Sequence, residues 1–165
     1  MIASQNEEQR QAALDALELD DFAATAFDDL TRMAADILEM PMASLSIIGR
    51  DRSWVKAHVG LDDPAGGPRE SFLSSHAIEH PQELLVVQDT TKDERFAANP
   101  SVTQAPYVRF YAAAPLTLSS GHAVGALCVM DTKPRTIEAD ILEQLKFLAD
   151  QVIQTLEKRR RSKAP

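Results

Sequence analysis

Between residues 22 and 38 the apolar side chains Phe22, Ala26, Phe27, Leu30, Met33, Ala34, Ile37 and Leu38 recur at three- and four-residue steps. That spacing puts them on one face of an amphipathic helix, and Pro41 closes it. A shorter helix over 8–19, with Leu14 and Leu17 as its apolar stripe, is expected before it, within an N-terminal segment of residues 1–20. The pattern then changes. ASLSIIG (43–49) and SWVKAHVG (53–60) are short β-type runs separated by the polar turn Gly49-Arg50-Asp51-Arg52, which predicts a hairpin.

A second hairpin is predicted from VRFYAAAPLTL (108–118) and HAVGALCVMD (122–131), joined at Ser119-Ser120-Gly121. A hairpin with one wet face alternates apolar and polar residues. Here both registers are largely apolar, so both faces must be covered. One face can take the long helices. The other falls to the irregular stretch 61–105, which holds the loop LDDPAGGPRE (61–70), a helical turn near 74–80, a strand ELLVVQD (83–89) and a short helical piece around DERFAANP (93–100). The loop, with two prolines, two glycines and four charges, is expected to be exposed and mobile. A roof with so few large apolar residues is expected to leave a cavity over the sheet, apolar below and polar at its mouth.

The last element starts at Thr136, an expected N-cap, with Ile137, Ile141, Leu145, Leu148, Val152 and Leu156 as a continuous stripe. A helix over 136–160 reaches about 38 Å at the usual rise, more than one small domain needs for its own core. The overhang points to a partner, and a homodimer through the terminal helices is expected; a tail is expected at 161–165.

At 165 residues the chain fits one domain, and no apolar run is long enough for a membrane span. The N-terminal residues do not read as a secretory signal, and the single cysteine, Cys128, fits a reducing compartment, so a cytoplasmic location is expected. The formal charge is −8, but KRRRSK at 158–163 holds five of the 17 basic residues, leaving 12 against 25 acidic ones in 1–157. A body at −13 repels phosphate backbones, so no nucleic-acid partner is expected. The basic tail reads as a solvated helix end beside its negative dipole terminus.

RESFLSSHAI (69–78) sets Ser74 and Ser75 before His76. A catalytic serine needs a base within reach, an orienting carboxylate and an oxyanion hole, and adjacency in sequence supplies none of these. No Gly-x-Ser-x-Gly string is present. An N-cap role for the serines, with the histidine packed beside them, is the plainer reading, and a polar contact to a ligand is the other. His58, His76, His80 and His122 lack metal-ligand spacing apart from His76 and His80 at i and i+4, and Pro81 disfavours a helix there. Ligation of haem by a single histidine stays open.

Several strings, FDDLTRMAA (27–35), DRSWVKAHVGL (51–61), PRESFLSSHAI (68–78), VVQDTTKDERFAANPSV (86–102) and VRFYAAAPLTLSSGHAVGALCVMDTKPR (108–135), resemble the GAF domain, a sensory module related to the chromophore domain of phytochromes. The resemblance implies an α+β fold: a central antiparallel sheet, terminal helices on one face, and a pocket roofed by loops and short helices on the other. In light-sensing members a cysteine near Ser74 can attach a linear tetrapyrrole; serine here makes covalent attachment unexpected. Methionine sulfoxide reduction in one branch needs several cysteines, and the Asn-Lys-x-x-x-Phe-x-x-x-Asp-Glu string of cyclic-nucleotide binders is absent. Asp89, Asp93, Arg95 and Asn99 read as turn and cap residues around Phe96, Arg109 and Asp131 as strand-end residues, and Cys128 as an inert core thiol.

The expectation is therefore a single non-catalytic sensory or regulatory GAF domain over 1–165. It should bind an unidentified small molecule through Trp54, Phe72, Ser74, His76, Phe110 and Tyr111, and signal to a downstream output domain or protein. No cofactor is identified, no metal site and no membrane partner are expected. The rival readings are a degenerate GAF domain that serves only dimerisation, and an enzyme of unrecognised chemistry.

Overall fold

The structure is a computed structural model, and it describes residues 7–19, 25–61 and 66–163. Among the described residues two helices come first, α1 over Glu7–Asp15 and α2 over Thr25–Ile37. Six strands follow: β1 (Met42–Ile48), β2 (Arg52–Val59), β3 (Gly67–Pro68), β4 (Leu85–Val87), β5 (Phe110–Thr117) and β6 (Ala123–Asp131). Between β3 and β4 the chain makes three 3-10 turns over 69–79, and a four-residue helix α3 (Pro100–Thr103) precedes β5. The chain closes with α4, Ala139–Lys163. The strands form one antiparallel sheet in the order β3-β2-β1-β6-β5-β4. This is the α+β arrangement that the sequence predicts, with both hairpins in place.

The sheet needs cover on both faces because β1 and β6 are buried along their whole length. Alternation divides their side chains. Leu45, Ile47, Phe110, Ala112, Leu116, Leu127 and Val129 join the core built with Phe27, Ala34, Leu145, Leu148, Val152 and Leu156 of α2 and α4 and with Leu38 just past α2. Tyr111, Ala113, Ala126, Cys128 and Met130 turn the other way, toward Leu73, Ala77, Phe96 and Val108 of the roof. At Gly125 the sheet is at its tightest, since a Cβ there would stand 2.0 Å from the Ser46 carbonyl oxygen of β1. No side chain fits that approach.

Several details differ from the sequence reading: the helical piece expected around 93–100 is a run of turns, with the helix following at Pro100–Thr103, and Gly67–Pro68 of the expected loop pairs with β2 as β3. The terminal helix begins at Ala139 rather than Thr136, with Glu138 O accepting from Ile141 and Leu142 N–H, and it runs through residue 163 where a tail was expected. The expected strand 83–89 shortens to Leu85–Val87, because only those residues pair with β5. The turn near 74–80 is a run of 3-10 turns without side-chain caps. Residues 62–65 of the Pro/Gly-rich loop, the expected site of mobility, and Phe22 of the first long stripe lie outside the described residues.

The roof is pinned by short polar side chains, as read from the sequence. Asp89 accepts from Thr91 N–H, Asp93 from Arg95 N–H, and Asn99 from Ser101 N–H, while Asn99 donates to Ser71 O across the roof. Phe96 is fully buried beneath them. Asp131 pairs with Arg135 at 2.6 Å, and Arg109 donates to Val102 O and Val108 O.

Candidate functional site

Between the sheet and this roof lies a cavity of about 460 Å³, within the size range of small-molecule sites. Its floor is made by Ser44 and Ser46 of β1, Val55 of β2, Tyr111 of β5, and Cys128 and Met130 of β6. Phe72, Leu73 and Ser74 wall it from the 3-10 run, and Pro100, Ser101, Ala105, Pro106 and Val108 from the segment around α3. The serines of β1 face the cavity because Leu45 and Ile47, alternating with them, face the helices. The polar atoms thus sit on the floor as well as the wall, against the expectation of an apolar base with polarity confined to the mouth.

Four of these groups are linked. Tyr111 Oη lies 2.9 Å from Cys128 Sγ. The Ser74 hydroxyl reaches the same phenol and the Ser44 hydroxyl reaches the thiol, so the chain of groups runs from β1 across the sheet to the roof. Burial pushes the Cys128 thiol up to about 12, outweighing the hydrogen bonds from Tyr111 and Ser44 that favour the thiolate. Burial likewise pushes Tyr111 well above the ordinary phenol value, with its Cys128 neighbour adding to the effect and Ser74 opposing it. Both groups stay protonated at neutral pH, so the floor offers hydrogen bonds rather than nucleophiles.

Of the six residues expected to bind, the structure brings Phe72, Ser74 and Tyr111 to the cavity and places the other three elsewhere. Phe110 precedes Tyr111 on β5 and so faces the helix-side core. Trp54 is displaced by a bulge. Leu45 opposes Ala57 and Ser46 opposes Val55, which leaves Lys56 without a partner and reverses the phase of β2. Val55 then points into the cavity, while Trp54, opposite Ile47, is 42% exposed. His76, two residues beyond Ser74 on a tight turn, sets its ring edge-on to Phe96 at 4.9 Å and lines a surface groove with Arg50, Asp51 and Glu79. Ser75 donates to Arg69 O. The serines and histidine of 74–76 therefore form no dyad and no cap.

Ser44, Ser46, Cys128 and Met130 were not predicted as site residues. For the serines the signal was present, since A-S-L-S-I-I alternates polar and apolar positions within a buried strand. None of the four histidines lines the cavity, and among the described residues no group of three or more His, Cys, Asp or Glu is placed to hold a metal ion. No helix of the described residues is long and apolar enough to cross a membrane.

A sheet of this order with helices on one face and a roofed cavity on the other is accompanied by a match to the GAF domain family over residues 23–156. The chain belongs to the GAF domain family. A stretch of 132 residues, 79% of this chain, is 36% identical to the cyclic di-GMP phosphodiesterase PA2567 of Pseudomonas aeruginosa, and the match spans only 22% of that relative's length. Among solved structures, the GAF domain from an Acinetobacter phosphoenolpyruvate-protein phosphotransferase superposes with a TM-score of 0.71 at 17% identity, covering 93% of this chain and 97% of that one. A type II free methionine-R-sulfoxide reductase from Thermoplasma acidophilum superposes with a TM-score of 0.68 at 14% identity, covering 85% and 96%. Identities this low speak for the fold of this GAF domain and not for its chemistry.

Proposed function

We propose that this GAF domain is a non-catalytic regulatory module that binds a small molecule in the cavity between sheet and roof and passes its occupancy on through the terminal helices. The observation that carries the reading is the cavity itself, about 460 Å³ with a hydrogen-bonding floor. A regulatory role fits the relative in Pseudomonas aeruginosa, which is named as a phosphodiesterase and of which this chain matches only a fraction. A catalytic reading has less support. The only thiol is held protonated by burial, Ser75 donates to Arg69 O, and His76 packs edge-on to Phe96 rather than hydrogen-bonding to a serine.

A second copy of the chain is the proposed partner. Met33 and Ile37 on α2 and Phe147 on α4 are 46%, 39% and 57% exposed, although each element is otherwise apolar on its inner face. Large apolar groups left outside on two helices that pack together are what a shared helical interface would cover. A downstream output unit joined to the same helices would then read the dimer.

A ligand that binds only the folded state raises its melting temperature by mass action. A thermal-shift screen against metabolites is expected to give a hit that Ser74→Ala and Tyr111→Phe weaken. Hits that neither substitution touches would place binding elsewhere and leave the dimerisation role alone.

A further inference from the structure

The cavity's lining has a feature that narrows what can enter it. Among the described residues that line it, none carries a charge. Ser44, Ser46, Ser74 and Tyr111 supply hydroxyls, while Val55, Phe72, Leu73, Val108 and Met130 supply apolar surface. We infer that the cavity takes an uncharged ligand, with an apolar or ring body and one amide, hydroxyl or carbonyl edge set against these hydroxyls, and that it discriminates against anions. This inference rests on the reading of the cavity as a ligand site.

The cost of burying an ion makes the point. An ion taken out of water is strongly destabilised unless a partner charge and hydrogen bonds replace the lost hydration. The roof's arginines do not line the cavity and are engaged outside it. Arg69 pairs with Glu7, Arg95 with Asp93, and Arg109 donates to the carbonyls of Val102 and Val108. Backbone donors at α3, whose first residues reach the cavity, are also taken. Pro100 has no N–H, Ser101 N–H donates to the Asn99 side chain, and the N–H groups of Val102 and Thr103 donate to Asn99 O.

Uncharged polar groups meet the opposite situation. Each serine hydroxyl has one donor and two acceptor positions, so a hydroxyl lining suits an amide or alcohol edge of either polarity. Tyr111 Oη is fixed by its 2.9 Å contact with Cys128 Sγ on the floor, with the Ser74 and Ser44 hydroxyls beside the pair. Against it, the apolar walls offer the body of the ligand a surface that benefits from leaving water.

Benzamide and benzoate separate the possibilities, being nearly equal in shape and different in charge at pH 7. Each is titrated into the isotope-labelled chain and followed by the backbone amide resonances of Ser44, Ser46, Ser74, Tyr111 and Cys128. Benzamide is expected to shift these resonances at millimolar concentration, with benzoate about tenfold or more weaker. Ser74→Ala is expected to weaken benzamide about threefold, as for loss of a neutral hydrogen bond. If benzoate shifts the same resonances as tightly as benzamide, the cavity is a ligand site but not one selective for uncharged molecules, and the inference is overturned. An unchanged benzamide affinity in Ser74→Ala overturns the assignment of the polar edge. If neither probe moves these resonances up to its solubility limit, the ligand-site reading fails and the inference with it.

Discussion

Tyr111 and Cys128 share one environment on the cavity floor, where burial keeps both the phenol and the thiol protonated. With the thiol held at about 12, hardly any thiolate exists at neutral pH, and the sulfur is fully buried besides. The native chain is therefore expected to resist iodoacetamide at pH 8 and to be alkylated at Cys128 once unfolded in urea, as peptide mass spectrometry reads. Rapid alkylation of the native chain would contradict this account of the floor. At this same scale the sequence was readable only in part. Phe110 and Tyr111 are neighbours on one strand, so only one of them can face the cavity, and an all-apolar strand does not say which. The bulge at Lys56 that exchanges Trp54 for Val55 leaves no mark in the residue pattern. Ser44 and Ser46 were legible by alternation, and the inward turn of Ser74 and outward turn of His76 depended on a 3-10 geometry that the predicted helical turn did not specify.

Among the elements, α1 is tied to the rest by charge more than by its modest apolar stripe. Arg10 is buried and donates to the carbonyls of Ile48, Gly49 and Ala123 at the end of the sheet, while Glu7 accepts from Arg10 and from Arg69 at the edge of the roof. Burial opposes the charge on Glu7, but the hydrogen bonds and charges of the two arginines prevail and hold it at about 2, below the ordinary 4.5. A carboxylate depressed on folding contributes stability that is present in full above its unfolded value and is lost as pH falls through its folded one. The contribution of Glu7 is thus complete above pH 4.5 and disappears toward pH 2. Glu7→Gln is expected to cost about 1.5–3 kcal/mol at pH 7, the range for hydrogen bonds to a charged group. It should also flatten the pH dependence of urea unfolding between those limits; a variant with the wild-type slope would remove Glu7 as the link between α1 and the roof. The long helices and both hairpins were legible from periodicity, but β3, the position of α3 and this tie were not; the tie joins residues 7, 10, 49 and 69 through the fold and not through spacing. The outer faces of α2 and α4 carry the remaining expectation at this scale. Phe147→Ser, which changes an exposed residue, is expected to turn a dimer into a monomer by light scattering without lowering the melting temperature of the monomer. A wild-type chain that is already monomeric at micromolar concentration would remove the proposed partner.

In the whole molecule the two faces of one sheet have different tasks. The helix side carries the larger apolar core, closed by α2 and α4, and the roof side, built from 3-10 turns and short polar caps, leaves the cavity. Under the proposed function, full cover on one face and incomplete cover on the other would let a molecule entering the cavity add contacts that the roof alone does not make. That division was visible in the sequence, where both strands of the second hairpin demanded cover and 61–105 had too few large apolar residues to supply it. Which side chains define the cavity was not, because they are chosen by strand phase. Native mass spectrometry after incubation with the small-molecule fraction of a cell extract tests the central claim most directly. The account predicts one bound molecule per chain in the wild type, at a fraction that falls in both Ser74→Ala and Tyr111→Phe; a bare polypeptide under every condition, or an adduct that persists unchanged in both variants, would contradict it.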